Sequence, residues 1–341
     1  MGTVFFHIDV NNAFLSWSAV EALKNGGTDL RLIPSIVGGD IEKRHGVVLA
    51  KSTPAKTFGI KTGEPVTDAL KKCPDLVSTP PDHALYKRYS LSMLDLLKRY
   101  FRSITRYSID ECFAVFDPSL AGGSSPAEYA LIVKDAVKNE LGFTVNIGIS
   151  ENRLLAKMAS DFEKPDKVHT LFPDEIKEKM WPLPVRDLFF VGRSSEAVLQ
   201  SMGIKTIGDL AAADPELIEA RLKTHGRTLW EYANGLEISP LAAEHRESKG
   251  IGNSRTVESD IIAAADAYRV LDDLCGEVSV RLKDQSFVAG SICVEIKYSD
   301  FTAASHQMPL STPSNERSVL SGYTRLLFDE LWDHRPVRLL G

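Results

Sequence analysis

The feature that most constrains this chain is an apolar β-type run, Thr3 to Asp9, that ends on a carboxylate and passes directly into a helical pattern. Within Asn11 to Lys24 the residues Phe14, Trp17, Val20 and Leu23 recur at helical spacing, so Asp9 sits at the carboxyl end of a strand followed by a helix. Leu32 to Val37 and Gly46 to Ala50 are β-rich and flank a charged tip, Glu42-Lys43-Arg44-His45, expected to be a solvated hairpin turn. A segment Ser52 to Phe58, ended by Gly59, follows. Asp82 to Arg102 reads as a long amphipathic helix, and two short β segments, Ser103 to Ile109 and Cys112 to Phe116, meet at Asp110-Glu111. After a loop at Gly122 to Pro126 come a helix to Glu140, a strand from Phe143 to Ile149 and a helix from Glu151 to Asp161. The sum is a βαββαβ order, that of a split, ferredoxin-like sheet with Asp9 on its first strand.

From Pro173 the pattern changes to short helices broken by Pro182, Pro184, Gly192, Gly203 and Gly208. Val191 to Ser195, followed by Met202 to Leu210, suggests a helix-hairpin-helix whose backbone N–H groups at Gly192, Arg193 and Ser194 could hold a DNA phosphate at the positive end of a helix. Arg193 and Ser194 stand where that motif usually has Ile-Gly, so a plain turn in a helical bundle is the competing reading. Leu241 to Glu247 is a polar linker. Beyond it, a strand near Ile251 to Val257, a helix from Ala263 to Lys283, strands near Ser291 to Tyr298 and Ala303 to Met308, and a helix from Glu316 to Trp332 form a second α+β unit. The sequence stops at Val337 to Gly341, which reads as the beginning of a strand, so a truncated form of a longer protein is expected.

At 341 residues the chain exceeds one ordinary core and suggests two to four compact units. Its 43% hydrophobic residues come in short runs, none near the roughly 20 that a spanning helix requires. No basic, apolar and small-residue leader pattern is visible, so a cytoplasmic location is expected and no membrane association. Cys73, Cys112, Cys275 and Cys293 stand singly, which supports neither a zinc site nor a disulfide framework. The net charge of -6 argues mildly against nucleic-acid binding when averaged over the surface, but phosphate contacts are local.

Three acids at strand ends, Asp9, Asp110 and Glu111, suit hard cations such as Mg²⁺ that prefer oxygen ligands. Two such ions can activate an attacking oxygen and stabilise a leaving one in phosphoryl transfer. A single Asp at a strand end is more often a plain surface acid; three so placed are more telling. Spacing alone does not choose among polymerase, nuclease and cyclase.

His7 to Phe14, Lys51 to Pro65 and Tyr107 to Glu111 occur in the order seen in the Y-family (translesion) DNA polymerases, and the DNA polymerase IV branch is most similar. The resemblance continues through Cys73-Pro74, Tyr86 to Ser90, Gly148 to Lys157, Lys164-Pro165 and the hairpin, and so covers nearly the whole chain. It implies an α+β, right-hand polymerase. A ferredoxin-like palm would occupy residues 1–12 and 78–170, small fingers 13–77, a helical thumb 171–240, a linker 241–247 and an α+β little finger 248–341.

By the same resemblance Asp9 and Asp110 would bridge two Mg²⁺ ions, Glu111 would bind the catalytic one, and the Val10 carbonyl would complete the nucleotide-side ion. Phe14 falls at the steric gate against a ribose 2′-OH, and Lys157 would face the triphosphate of the dNTP. The family usually presents a Tyr and an Arg to the triphosphate; here Thr53 and Lys56 stand there, a shorter hydroxyl arm and a charge without the planar fork. Val47 and Leu49 fall where the pocket roof is usually a smaller residue. The implied activity is template-directed, low-fidelity translesion synthesis without proofreading on primer-template DNA, by a monomer that residues beyond Gly341 would tie to the sliding clamp. A metal-dependent nuclease would use the same acids but leave Phe14 and Lys157 unexplained. A regulatory DNA-binding relative would account for Thr53 and Lys56, but has no use for three metal-binding acids.

Overall fold

The computed structural model describes residues 2–40, 46–237 and 250–341; the charged tip at Glu42 to His45 and the linker at 241–247 lie outside the described residues. The described residues divide into two compact units. One contains residues 2–37, 49–62 and 69–237, the other 38–40, 46–48, 63–68 and 250–341.

The chain opens with β1 (Phe5–Val10) and α1 (Ala13–Lys24). A small sheet follows, ordered β3-β2-β4, from β2 (Ser35–Gly38), β3 (Val48–Lys51) and β4 (Val77–Thr79), with α2 (Thr53–Thr57) and α3 (Val66–Lys72) between the last two. The strand expected from Leu32 begins only at Ser35. Asp29 is the cause: its carboxylate accepts from the Arg31 backbone N–H at 3.0 Å and from the guanidinium at 2.8 Å, holding a turn there.

α4 (His83–Leu97) starts where Asp82 accepts the Leu85 N–H at 2.9 Å. It ends short of the expected Arg102, because the Arg99 and Tyr100 N–H groups turn back onto the Leu96 and Leu97 carbonyls at 3.1 and 2.9 Å in tighter turns. β5 (Ile104–Arg106), β6 (Glu111–Val115), α5 (Pro126–Leu141), β7 (Val145–Ser150), α6 (Arg153–Ser160) and β8 (Val168–Thr170) follow. The limits of α5 are written in the sequence: Ser125 and Glu128 form a capping box before Pro126, and Gly142 closes the helix at a left-handed φ of 79°.

These strands form a five-stranded sheet ordered β5-β6-β1-β7-β8, with β1 antiparallel to both β6 and β7. β6 lies between β1 and β5, the split arrangement expected from the element order. β8, which the sequence pattern does not suggest, adds a parallel edge to β7. Alternation along β1 sorts the side chains: Phe6, Ile8 and Val10 enter the main core, while His7 and Asp9 face the other side.

α7 (Arg193–Ser201), α8 (Ile207–Ala212) and α9 (Pro215–Ala233) build a separate apolar cluster with α6, centred on Leu154, Leu199, Leu210 and Leu229. Short broken helices are expected here, and the 19 residues of α9 are themselves two helical stretches meeting at a kink at Lys223, whose φ of 57° is not helical.

The second unit holds β9 (Arg255–Ile261), α10 (Ala264–Asp284), β10 (Ala289–Tyr298), β11 (Ala303–Ser314), α11 (Arg317–Leu331) and β12 (Val337–Leu340). It repeats the βαββαβ order with a different sheet, β11-β10-β12-β9, in which the last strand rather than the first is inserted centrally. Leu271, Val294, Ile296, Leu327 and Phe328 form its core. Among the described residues no helix is long and apolar enough to cross a membrane.

Candidate active site

Asp9 on β1 and Glu111 on β6 are paired in register, so their side chains emerge side by side on the sheet face away from the main core. Like charges directly opposed across strands repel. Each is met by a lysine. Lys157 of α6 puts its ammonium 2.5 Å from Glu111 Oε1, and Lys164, just past α6, donates to Asp9 while holding Asp161 at 2.7 Å. Burial pushes the Asp9 carboxyl up to about 6, against the pull of Lys164, and the neighbouring Glu111 adds to the rise.

What brings the two lysines here is the approach of α6 to the sheet at Gly148. A Cβ at that position would stand 1.9 Å from the Ala156 carbonyl oxygen, so only glycine lets the helix lie this close. Asn152 starts α6 by accepting the Leu155 N–H at 2.8 Å. The loop after it is held by Asn146, whose amide donates to the Ser160 and Glu163 carbonyls at 2.9 and 2.7 Å, and by Asn11, which accepts the Asp166 N–H at 2.9 Å.

Asp110 belongs to the site through its backbone: its carbonyl accepts the Val10 N–H at 3.1 Å. Its carboxylate instead takes the Ser108 hydroxyl at 2.6 Å. Among the described residues no three His, Cys, Asp or Glu side chains therefore converge as an ion-binding group. Asp9 and Glu111 are each paired with a lysine, while the Asp110 carboxylate accepts from an uncharged hydroxyl. The donor chemistry still fits a divalent cation, since two carboxylates forced together in register require positive charge between them and find it only as lysine ammonium.

Phe14 is half-buried on α1, its ring stacked on Tyr86 with centroids 4.4 Å apart and planes 9° from parallel. Thr53 and Lys56 are both exposed on α2, which Ser52 caps by accepting the Ala55 N–H at 3.0 Å. Val47 is exposed and Leu49 half-buried. Gly192 is the residue before α7, with the exposed Arg193 and Ser194 as its first turn. The structure thus gathers Asp9, Glu111 and Lys157, with Val10 and Asp110 joined by backbone.

Two members of the cluster carry no role in the sequence reading, His7 and Lys164. His7 is fully buried two residues before Asp9 on the same strand face, which alternation alone indicates. Its Nδ1 lies 2.8 Å from Ser160 Oγ, and its Nε2 lies 3.8 Å from Glu111 Oε1. Burial first, and then the two lysines, hold the imidazole pKa well below its usual range. Lys164 lies beyond the end of α6 at Ser160, so the loop held by Asn146 and Asn11, and not helical spacing, places it here.

Comparison with known proteins agrees with this architecture. Residues 8–161 match the impB/mucB/samB family, residues 248–341 its C-terminal domain, and residues 173–204 the IMS family HHH motif. A solved Y-family DNA polymerase chimera, Dbh-Dpo4(243-245)-Dbh, superimposes with a TM-score of 0.81 at 20% identity, covering 99% of this chain and 97% of its own. The fold is that of an α+β, right-hand Y-family polymerase. DNA polymerase IV of Clostridium acetobutylicum is 49% identical, over all of this chain and 86% of its own length. DNA polymerase IV of Acetivibrio thermocellus is 35% identical over all of this chain and 85% of its own, and DNA polymerase IV 1 of Bacillus subtilis 34% over 99% and 80%. The chain belongs to the Y-family of translesion DNA polymerases, on its DNA polymerase IV branch. It is a DNA-directed DNA polymerase, an enzyme of translesion synthesis and DNA repair that takes primer-template DNA, dNTP and a divalent metal ion.

Proposed function

We propose that this polymerase joins dNTP to a primer 3′-OH by two-metal-ion nucleotidyl transfer, with low fidelity and without proofreading, acting as a monomer. The observation that carries the reading is the register pairing of Asp9 with Glu111 beside Asp110, the first two each bound to a lysine and the third to the Ser108 hydroxyl. Asp9 and Asp110 would hold both Mg²⁺ ions, Glu111 the catalytic one and the Val10 carbonyl the one on the nucleotide side. When bound, the pair of ions activates the attacking oxygen and stabilises the leaving one.

The residues of the chain supply the rest. Lys157, released from Glu111, places a positive charge against the triphosphate, where negative charge develops on the leaving pyrophosphate. Phe14 closes the sugar side of the pocket with a ring that cannot recede past Tyr86. Thr53 and Lys56 offer the triphosphate a hydroxyl and a point charge, a weaker grip than a planar guanidinium fork gives. Leu49 and Val47 are assigned to the pocket roof. Gly192, Arg193 and Ser194, at the N-terminus of a 9-residue helix, are assigned to a DNA phosphate.

In this scheme the palm is residues 1–12 and 78–170, the fingers 13–77, the thumb 171–240 and the little finger 248–341. Asp110→Asn combined with Glu111→Gln tests the core of it. Template-matched single-nucleotide extension should vanish while binding of primer-template, which rests mainly on phosphate contacts, stays close to wild type. Extension at even a few per cent of wild type would overturn the assignment.

A further inference from the structure

The hydrogen bonds around His7 favour one tautomer, the one in which Ser160 also satisfies the Lys157 carbonyl. The Ser160 hydroxyl donates its single proton to the Lys157 carbonyl at 2.7 Å, so toward His7 Nδ1, 2.8 Å away, it can only accept. His7 therefore carries its proton on Nδ1, and Nε2 presents a bare lone pair. That atom is buried and has no hydrogen-bond partner among the described residues. An unused acceptor in the interior is costly unless something occupies it in another state.

The surroundings indicate the occupant. Glu111 Oε1 lies 3.8 Å from His7 Nε2 and 2.5 Å from the Lys157 ammonium, so imidazole and ammonium flank one carboxylate oxygen. Lys157 is itself buried, between the rings of Tyr107 and Phe189 at 5.1 and 5.6 Å. Once Glu111 turns to a divalent ion, this ammonium loses its counter-charge in a place where an unpaired charge is expensive. We propose that His7 is a positioning residue, whose Nε2 accepts the Lys157 ammonium when Glu111 releases it. His7 thereby lowers the cost of drawing Glu111 away from its lysine. The inference rests on the assignment of Glu111 as a metal ligand.

Two substitutions separate this role from simple anchoring. His7→Asn keeps an N–H for Ser160 and lacks the distal acceptor; His7→Gln reaches to the distal position with a carbonyl oxygen but gives up the Ser160 bond. The readout is the dissociation constant for Mn²⁺ alone, followed by its electron paramagnetic resonance signal on the full chain without nucleotide, with kcat and the dNTP KM measured alongside. For His7→Asn, Mn²⁺ binding should weaken by about tenfold or more, the worth of one charge-assisted hydrogen bond, and kcat should fall with it. His7→Gln should restore both.

If His7→Asn binds Mn²⁺ as wild type does, or if His7→Gln is the more damaged variant, His7 only anchors Ser160 and the proposal is overturned. Should neither variant fold, Ser160→Ala decides, since it frees the imidazole to turn and exchange tautomer. Weakened Mn²⁺ binding then supports the proposal and wild-type binding refutes it. Glu111→Gln is the control: if it leaves Mn²⁺ binding unchanged, the metal assignment of Glu111 fails and this inference fails with it. If binding depends on Glu111 yet ignores His7, only this inference is lost.

Discussion

Gly148→Ala adds one methyl group at the point where α6 rests on the central sheet, and the structure sets the size of the effect. The new Cβ would stand 1.9 Å from the Ala156 carbonyl oxygen and 2.5 Å from the Ser160 nitrogen. Both are backbone atoms of α6, so no side-chain rotation relieves the contact. The helix must retreat by more than about 1 Å to reach even a tight separation, in an interior packed too closely to yield locally. Retreat shifts Leu154, Leu155 and Met158 relative to their cluster and draws Lys157 away from Glu111. Overpacking of this kind costs about 1–3 kcal/mol, and a clash against backbone belongs at the upper end. Urea unfolding followed by tryptophan fluorescence measures the loss, and primer extension under conditions where the variant stays folded should show a lower kcat. A loss under about 0.5 kcal/mol with unchanged kcat would refute the claim that Gly148 sets the position of α6.

Other substitutions follow from the same geometry. Phe14→Ala should raise rCTP insertion opposite template G by about 10- to 1000-fold relative to dCTP, the range a clash of a few kcal/mol spans; a proportional loss of both nucleotides would make Phe14 a core residue only. Lys56→Arg, alone or with Thr53→Tyr, should lower the dNTP KM by about tenfold if one charge-assisted contact is regained; an unchanged or higher KM would mean that the smaller residues have their own packing. Lys164→Met removes the partner of a buried carboxylate and should destabilise the metal-free enzyme by on the order of 1–2 kcal/mol, because Lys164 is partly solvated. Thermal unfolding in chelator checks this, and an unchanged melting temperature would mean that Asp9 finds another partner.

The central sheet and the position of the acids at its strand ends were legible because both depend on local pattern. Thr3 to Asp9 is an apolar β-type run ending on a carboxylate, α5 carries its own capping box and closing glycine, and the Asp110-Glu111 pair sits where two short β segments meet. Elements resting on distant partners were not. β8 is three residues long and exists because β7 offers an open edge, and the kink that divides α9 falls at Lys223, whose φ of 57° no local preference favours. Lys164 and His7 escaped for a related reason. A lysine beside a proline and a histidine inside an apolar strand each have ordinary explanations until the fold shows which carboxylate they face.

Phe14 illustrates why a local pattern can be correct and still incomplete. Its spacing with Trp17 and Val20 is that of a core residue, and its ring is indeed stacked on Tyr86, which is wholly buried and has its hydroxyl 3.3 Å from Ser18 Oγ. Core packing and the proposed gating would then be one arrangement rather than two alternatives. A ring free to move by one rotamer well would relieve a clash with a 2′-OH at a cost of about 1 kcal/mol, and discrimination would be small. A ring backed by Tyr86, with His83 edge-on to both, is held in place, and in the proposed gate the full repulsion would fall on the incoming sugar. The helical periodicity that marks Phe14 as core is thus the physical source of the rigidity that a steric gate requires.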